Sequence, residues 1–172
     1  GDTDSALRTL STTSGGELPS VIHSSATPNG FILLGTNDND KLGTKIAGIG
    51  DFNGDGYDDF ALGTPLANPG SRTDAGATYV VFGQPNATVP TDFTHPDAIT
   101  DPTKGFAING PTANKQWGYG VAGGDFNGDG LSDLVVTRGD QSFSDLTIVF
   151  GTTSTTAISA LNSLNPASTN GT

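Results

Sequence analysis

Asp51-Phe52-Asn53-Gly54-Asp55-Gly56-Tyr57-Asp58-Asp59 decides the reading of this chain, because it returns as Asp125-Phe126-Asn127-Gly128-Asp129-Gly130-Leu131-Ser132-Asp133. In both copies oxygen-bearing side chains hold the first, third, fifth and ninth positions, and glycine holds the sixth. A hard divalent cation takes about six to eight oxygens at roughly 2.3–2.6 Å, and one tight loop with this spacing can offer them. The pattern predicts two Ca2+ sites. The first would draw on Asp51, Asn53, Asp55, the backbone carbonyl of Tyr57 and the carboxylate of Asp59, with Gly56 permitting the sharp turn. The second would draw on Asp125, Asn127, Asp129, the carbonyl of Leu131 and Asp133. Asx-Gly stretches also make plain turns, since glycine reaches positive φ and Asp or Asn side chains bond nearby backbone. A repeated set of converging carboxylates, mutually repulsive without a cation, favours the metal. Magnesium fits less well because it demands octahedral geometry and keeps several waters.

The EF-hand begins with a similar run but needs a bidentate Glu at its twelfth position and a helix on each side. Here the twelfth positions are Leu62 and Val136. The flanks Lys45-Ile46-Ala47-Gly48-Ile49-Gly50 and Phe60-Ala61-Leu62-Gly63 carry no helical stripe, and Leu134-Val135-Val136-Thr137 reads as a buried strand. Each loop is therefore expected to join two strands.

The repetition extends on both sides. Gly30-Phe31-Ile32-Leu33-Leu34-Gly35 matches Gly105-Phe106-Ala107-Ile108-Asn109-Gly110, and Leu42-Gly43 through Gly48 matches Trp117-Gly118 through Gly123. Beyond the loops, Ala77-Thr78-Tyr79-Val80-Val81-Phe82-Gly83 matches Leu146-Thr147-Ile148-Val149-Phe150-Gly151. Four strand-like runs in a fixed order suggest propeller blades rather than a sandwich.

On these residues the chain resembles FG-GAP repeats, the blades of the integrin α-subunit β-propeller and of its bacterial relatives. The resemblance runs from about Gly30 to Gly151 and departs at Thr137-Arg138-Gly139, where a Gly-Ala-Pro-like turn is expected. It implies an all-β fold of about two four-stranded antiparallel blades, incomplete as a closed ring. Residues 1–29 would be a polar lead-in or edge strand, 30–104 a first FG-GAP unit with loop 51–59, and 105–172 a second with loop 125–133. It also implies calcium at the ten loop positions named above, and a role in extracellular recognition and adhesion.

Composition agrees with short strands and turns: Gly 25 and Pro 10 stand against 33% hydrophobic residues. With no cysteine, disulfides and thiol chemistry are excluded. No apolar run approaches the roughly 18 residues of a membrane helix, and a net charge of −11 argues against nucleic-acid backbones as partners. The absence of Met and of a leader fits a processed or excised secreted chain. Leu18 to Ile22, Pro96 to Ile99 and Ala157 to Leu161 read as three copies of one lead-in to a Gly-Phe strand. Two blades leave apolar strand edges open, so a homo-oligomer or fibre, or another protein partner, is expected to complete them.

Asn86-Ala87-Thr88 and Asn170-Gly171-Thr172 match the glycosylation acceptor pattern. Asn37-Asp38-Asn39-Asp40 reads as an Asx turn, and Asp140 and Asp145 as loop surface. Catalysis finds little support. His23 and His95 lack a Gly-x-Ser-x-Gly elbow, Glu17 is the only glutamate, and adjacent Asp58 and Asp59 would face opposite sides of a strand. Phe31, Phe106, Tyr119 and Trp117 could form a glycan platform but more simply pack between blades. The expectation is a non-enzymatic, calcium-stabilised adhesive module at the cell surface. The alternative is an accessory piece of a propeller enzyme acting on polysaccharide or lipid.

Overall fold

The computed structural model describes residues 39–84, 101–139 and 146–163, with Leu33, Gly35, Asn37 and Ile99. Among these residues seven strands form two antiparallel sheets. The first holds β1 (Lys45–Gly50), β2 (Asp59–Thr64), β3 (Ala77–Val81) and β4 (Gly105–Asn109) in that order. The second holds β5 (Gly120–Gly124), β6 (Asp133–Thr137) and β7 (Leu146–Val149). Neither is closed into a ring among the described residues, and the pair has the form of two propeller blades. β1 lies against β5, so the sheets stack side by side through their first strands.

Sheet membership cuts across the sequence repeat. Gly105–Asn109 opens the second unit when the units are counted by matching residues, yet it pairs with β3 in the first sheet, Val80 opposite Phe106. Its counterpart, Gly30 to Gly35, lies largely outside the described residues. The second sheet correspondingly shows three strands rather than the four expected of each blade. The stretch read as a third lead-in, Ala157 to Leu161, is instead part of a helix, α1 (Thr155–Ser163). Ser154 caps it: its hydroxyl accepts the N–H of Ala157 at 3.3 Å. α1 packs on β4 and sends Ile158 into the core.

Burial explains why β2 and β3 are apolar runs without strict alternation. Every residue of β3 is buried, because both faces of the first sheet are covered. The face towards the second sheet carries the main core: Phe52, Val80, Phe82 and Phe106 from one sheet meet Leu134 and Val136 from the other. Phe52 and Phe106 approach to 5.2 Å between ring centroids, tilted by 43°, a favourable geometry for aromatic pairs. Trp117 and Phe106, weighed as glycan-stacking residues, both serve this core, whereas Tyr119 is exposed. The opposite face holds a second cluster, including Leu62, Tyr79, Val81 and Ile99, with Leu33, Leu42 and Phe60 at its margin.

β1 contains a bulge, since Gly48 pairs with Phe60 and Gly50 with Asp59. The extra residue, Ile49, is buried where β5 passes. Gly123 must be glycine there: a Cβ would stand 2.3 Å from the Ile49 Cα. The turn after β6, at Arg138-Gly139, is held by the Gly139 N–H donating to the carbonyls of Lys115 and Gln116.

The candidate metal loops and the joint between sheets

Both nonapeptides connect the first two strands of their sheet, β1 to β2 and β5 to β6, as the strand-flanked reading requires. Their internal hydrogen bonds repeat bond for bond. The Asp51 carboxylate accepts N–H groups from Gly54 at 2.7 Å, Asp55 at 3.0 Å and Gly56 at 2.9 Å. Asp125 accepts from Gly128, Asp129 and Gly130 at 2.7, 3.2 and 3.0 Å. Asp55 accepts the Tyr57 N–H, and Asp129 the Leu131 N–H. The chain can curl this tightly because Gly54, Gly56, Gly128 and Gly130 take positive φ, Gly56 at 89° and Gly130 at 90°.

The ninth residue acts differently from the first. Asp59 is buried, and its two oxygens are split between the ends of the structure it braces. One accepts the Phe52 N–H at 2.8 Å and the other the Gly83 N–H at 2.8 Å. Asp133 repeats this with Phe126 at 2.8 Å and Gly151 at 2.9 Å. Each thus ties its loop to the end of the third strand of its own sheet. Asp58 is exposed, so the neighbouring carboxylates do face apart. Burial pushes the Asp59 carboxyl up from 3.8 to about 6, against the N–H bonds from Gly83 and Phe52, and the Asp55 charge adds to the rise.

The donor chemistry suits a hard cation: every candidate side chain offers oxygen, and no sulfur or imidazole intervenes. The hydrogen bonds nevertheless satisfy each loop by itself. The Asn53 amide nitrogen donates to Asp55 at 2.9 Å, and that of Asn127 to Asp129 at 2.8 Å. The same amides turn their oxygens into the loop, Asn53 accepting the Asp55 N–H at 3.0 Å and Asn127 the Asp129 N–H at 2.9 Å. Among the described residues, no group of three or more Asp, Glu, His or Cys side chains is gathered at metal-binding spacing.

Sequence reasoning missed how the loops meet. Ser132 of the second loop donates its N–H to the Asp51 carbonyl at 2.9 Å, and Thr152 donates to the Phe52 carbonyl at 2.9 Å. Gly54 is hemmed by Leu131 and Thr153, and Gly151 by the Phe52 carbonyl. The first loop is therefore a seam between the sheets, while the second loop has no sheet beyond it among the described residues. Phe52 and Phe126 share a loop position, yet Phe52 is 0% exposed and Phe126 55%.

At Asn37 to Asp40, read as an Asx turn, the bond that closes the turn is a backbone one, the Asp40 N–H donating to the Asn37 carbonyl at 3.3 Å, and the Asn37 amide donates to the Asp40 carboxylate at 2.8 Å. His23, His95, Glu17, Phe31, Asn86, Asp140, Asp145 and Asn170 lie outside the described residues. No helix among the described residues is long and apolar enough to cross a membrane.

Comparison with known proteins agrees with this geometry. The FG-GAP repeat model matches residues 43–81 and 117–159, each span holding three strands and one loop. The chain is 29% identical over 119 residues to integrin alpha-5 of Xenopus laevis, covering 66% of this chain and 10% of that protein. It is 31% identical over 109 residues to integrin alpha-E of Mus musculus, covering 60% of this chain and 8% of that protein. Integrin alpha-PS2 of Drosophila melanogaster is 31% identical over 97 residues, covering 56% of this chain and 6% of that protein. The chain thus spans a tenth or less of the length of these relatives. With two matched spans, each folded as a blade around the same loop, the chain carries two FG-GAP repeats.

Proposed function

We propose that this chain is a calcium-stabilised, non-catalytic blade module of an extracellular or cell-surface adhesion protein, working through contacts with protein partners. The observation that supports it most is the seam at the first loop. An oxygen-rich nonapeptide of the kind that suits Ca2+ is clasped by backbone hydrogen bonds from the neighbouring sheet. An ion held by Asp51, Asn53, Asp55, the Tyr57 carbonyl and Asp59 would neutralise the converging carboxylates and fix the edge on which the second sheet rests. The second loop, with Asp125, Asn127, Asp129, the Leu131 carbonyl and Asp133, would do the same for whatever lies beyond it.

Relatives named integrin alpha support the adhesive sense of this reading. Calorimetric titration of the metal-free chain with CaCl2 tests it. Two ions per chain and a melting temperature that rises with calcium are expected. Absence of heat, with melts that coincide in calcium and in chelator, rejects calcium as the stabilising ligand.

A further inference from the structure

We propose that Asn53 and Asn127 are sites of self-modification, each losing its side-chain amide to the backbone nitrogen of the following glycine and becoming aspartate or isoaspartate. Both loops hold the reacting groups in place for this step, and the Asn-Gly pair at the end of β4 does not.

An Asn-Gly pair can close on itself because glycine has no Cβ to shield its backbone nitrogen from the neighbouring amide carbon. Among the described residues the pairs are Asn53-Gly54, Asn109-Gly110 and Asn127-Gly128. In the first loop the Gly54 N–H, whose nitrogen is the nucleophile, donates to the Asp51 carboxylate at 2.7 Å. Asn53 Oδ1, where negative charge develops during attack, accepts the Asp55 N–H at 3.0 Å. Asn53 Nδ2, the leaving nitrogen, donates to the Asp55 carboxylate at 2.9 Å. The second loop repeats these bonds: Gly128 to Asp125 at 2.7 Å, Asp129 to Asn127 Oδ1 at 2.9 Å, and Asn127 Nδ2 to Asp129 at 2.8 Å. A proton acceptor on the nucleophile and a fixed donor on the developing oxyanion are the two aids that attack on an amide needs. Gly54 stays exposed although the second sheet clasps its loop, so water reaches this bond with the joint closed.

Asn109 is placed differently. Its glycine is buried, and the Gly110 N–H donates at 2.8 Å to the Gly76 carbonyl, which takes no proton. The Ala75 carbonyl closes over the same glycine.

In the reaction the Gly54 nitrogen bonds to Asn53 Cγ while its proton passes along the hydrogen bond to Asp51. The Cγ–Nδ2 bond then breaks, the nitrogen departs with that proton as ammonia, and a cyclic imide remains. Water opens the imide. Addition at Cγ breaks the new bond to Gly54 and leaves aspartate. Addition at the backbone carbonyl breaks the original peptide bond and leaves isoaspartate, with the chain running through the former side chain. Either product sets a new carboxylate beside Asp51 and Asp55, and isoaspartate also lengthens the loop whose first two carbonyls hold the second sheet.

Timed incubation of the whole chain in chelator, followed by peptide mass mapping and enzymatic methylation of isoaspartate, tests this. Chelator keeps the result independent of calcium. In the folded chain Asn53 and Asn127 are expected to convert about tenfold or more faster than Asn109, and in urea the three rates should converge. Asp51→Asn keeps an oxygen for the Gly54 N–H but takes no proton. It should slow Asn53 about tenfold or more and leave Asn127 at the parental rate, and Asp125→Asn should do the converse. Circular dichroism checks that each variant is folded, and if Asp51→Asn is not, Asp125→Asn decides alone. Loop asparagines no faster than Asn109 in the folded chain, or a rate unmoved by the substitution in its own loop, overturns the proposal.

Discussion

The backbone N–H of Ser132 donates to the carbonyl of Asp51 at 2.9 Å, so the second candidate loop grips the first at its opening residue. Thr152 grips the next residue, Phe52, in the same way. Order in the first loop is therefore tied to the joint between the sheets, and the second loop shares in that joint through Leu131 and Ser132 while its Phe126 stays outside it. Several pairs of residues that match in sequence should in consequence behave unequally.

Phe52→Ala is expected to cost about 3–5 kcal/mol, the usual range for truncating a buried aromatic ring. Phe52 has no exposure and sits against Phe106 and Phe82, with centroids at 5.2 and 6.3 Å. Phe126→Ala, at the same loop position but 55% exposed, should fall within about 0.5 kcal/mol of the parent monomer, as surface substitutions do. Urea denaturation of dilute protein compares them. Equal losses would show that the burial of Phe52 contributes nothing beyond the turn.

A second unequal pair is Gly123 and Gly48. A Cβ at Gly123 would lie 2.3 Å from the Ile49 Cα, and backbone cannot yield as a side chain can. Gly123→Ala should therefore wedge the sheets apart and cost about 1–3 kcal/mol or more, the scale of overpacking. Nothing lies within 4 Å of a Cβ at Gly48. Gly48→Ala should be neutral or slightly stabilising in dilute solution, because it restricts the unfolded chain. Thermal melts of the two variants decide the matter.

Much of this architecture was legible in the residues, and the illegible parts share a cause. Both loops, the strands flanking them and the blade reading follow from local spacing and from the repeat, which act within a few residues. The place of β4 does not, because Gly105-Phe106 matches Gly30-Phe31 in sequence while its hydrogen bonds go to β3 of the preceding unit. α1 was hidden because Ala157 to Leu161 resembles the earlier lead-ins, and only Ser154 at its start signals a cap. The orientation of the Asn53 and Asn127 amides and the opposite exposures of Phe52 and Phe126 depend on neighbours, which spacing alone does not specify.

Asp59 gives the metal-free protein a pH dependence of defined sign. Its folded-state carboxyl titrates at about 6 against an ordinary 3.8, mainly because it is buried. Between those values the folded chain holds a proton that the unfolded chain has released, so stability should fall as pH rises from about 4 to 6 and level off above. Urea midpoints of resin-stripped protein across this range should show that slope, and Asp59→Asn should flatten it. The variant keeps an oxygen for only one of the Phe52 and Gly83 N–H groups and should also be less stable at every pH. An unchanged slope in the variant would place the titration elsewhere.

Calcium should reach the joint between sheets through the first loop. If an ion orders Asp51 to Asp59, the carbonyls of Asp51 and Phe52 are held more firmly, and the Ser132 and Thr152 amides that bond to them should exchange hydrogen more slowly. At a calcium concentration a hundredfold above Kd, linkage adds about 2.7 kcal/mol per site for an ion that binds only the folded state. Asp55→Ala should remove the slowing at both amides, because Asp55 contributes a candidate oxygen and holds the Tyr57 N–H at 2.9 Å. Hydrogen exchange read by NMR with and without calcium, on the parent and on this variant, checks the coupling. Slowing that persists in Asp55→Ala would mean that the ion acts on these amides from the second loop, and the seam at Asp51 would then be structural without being a metal site.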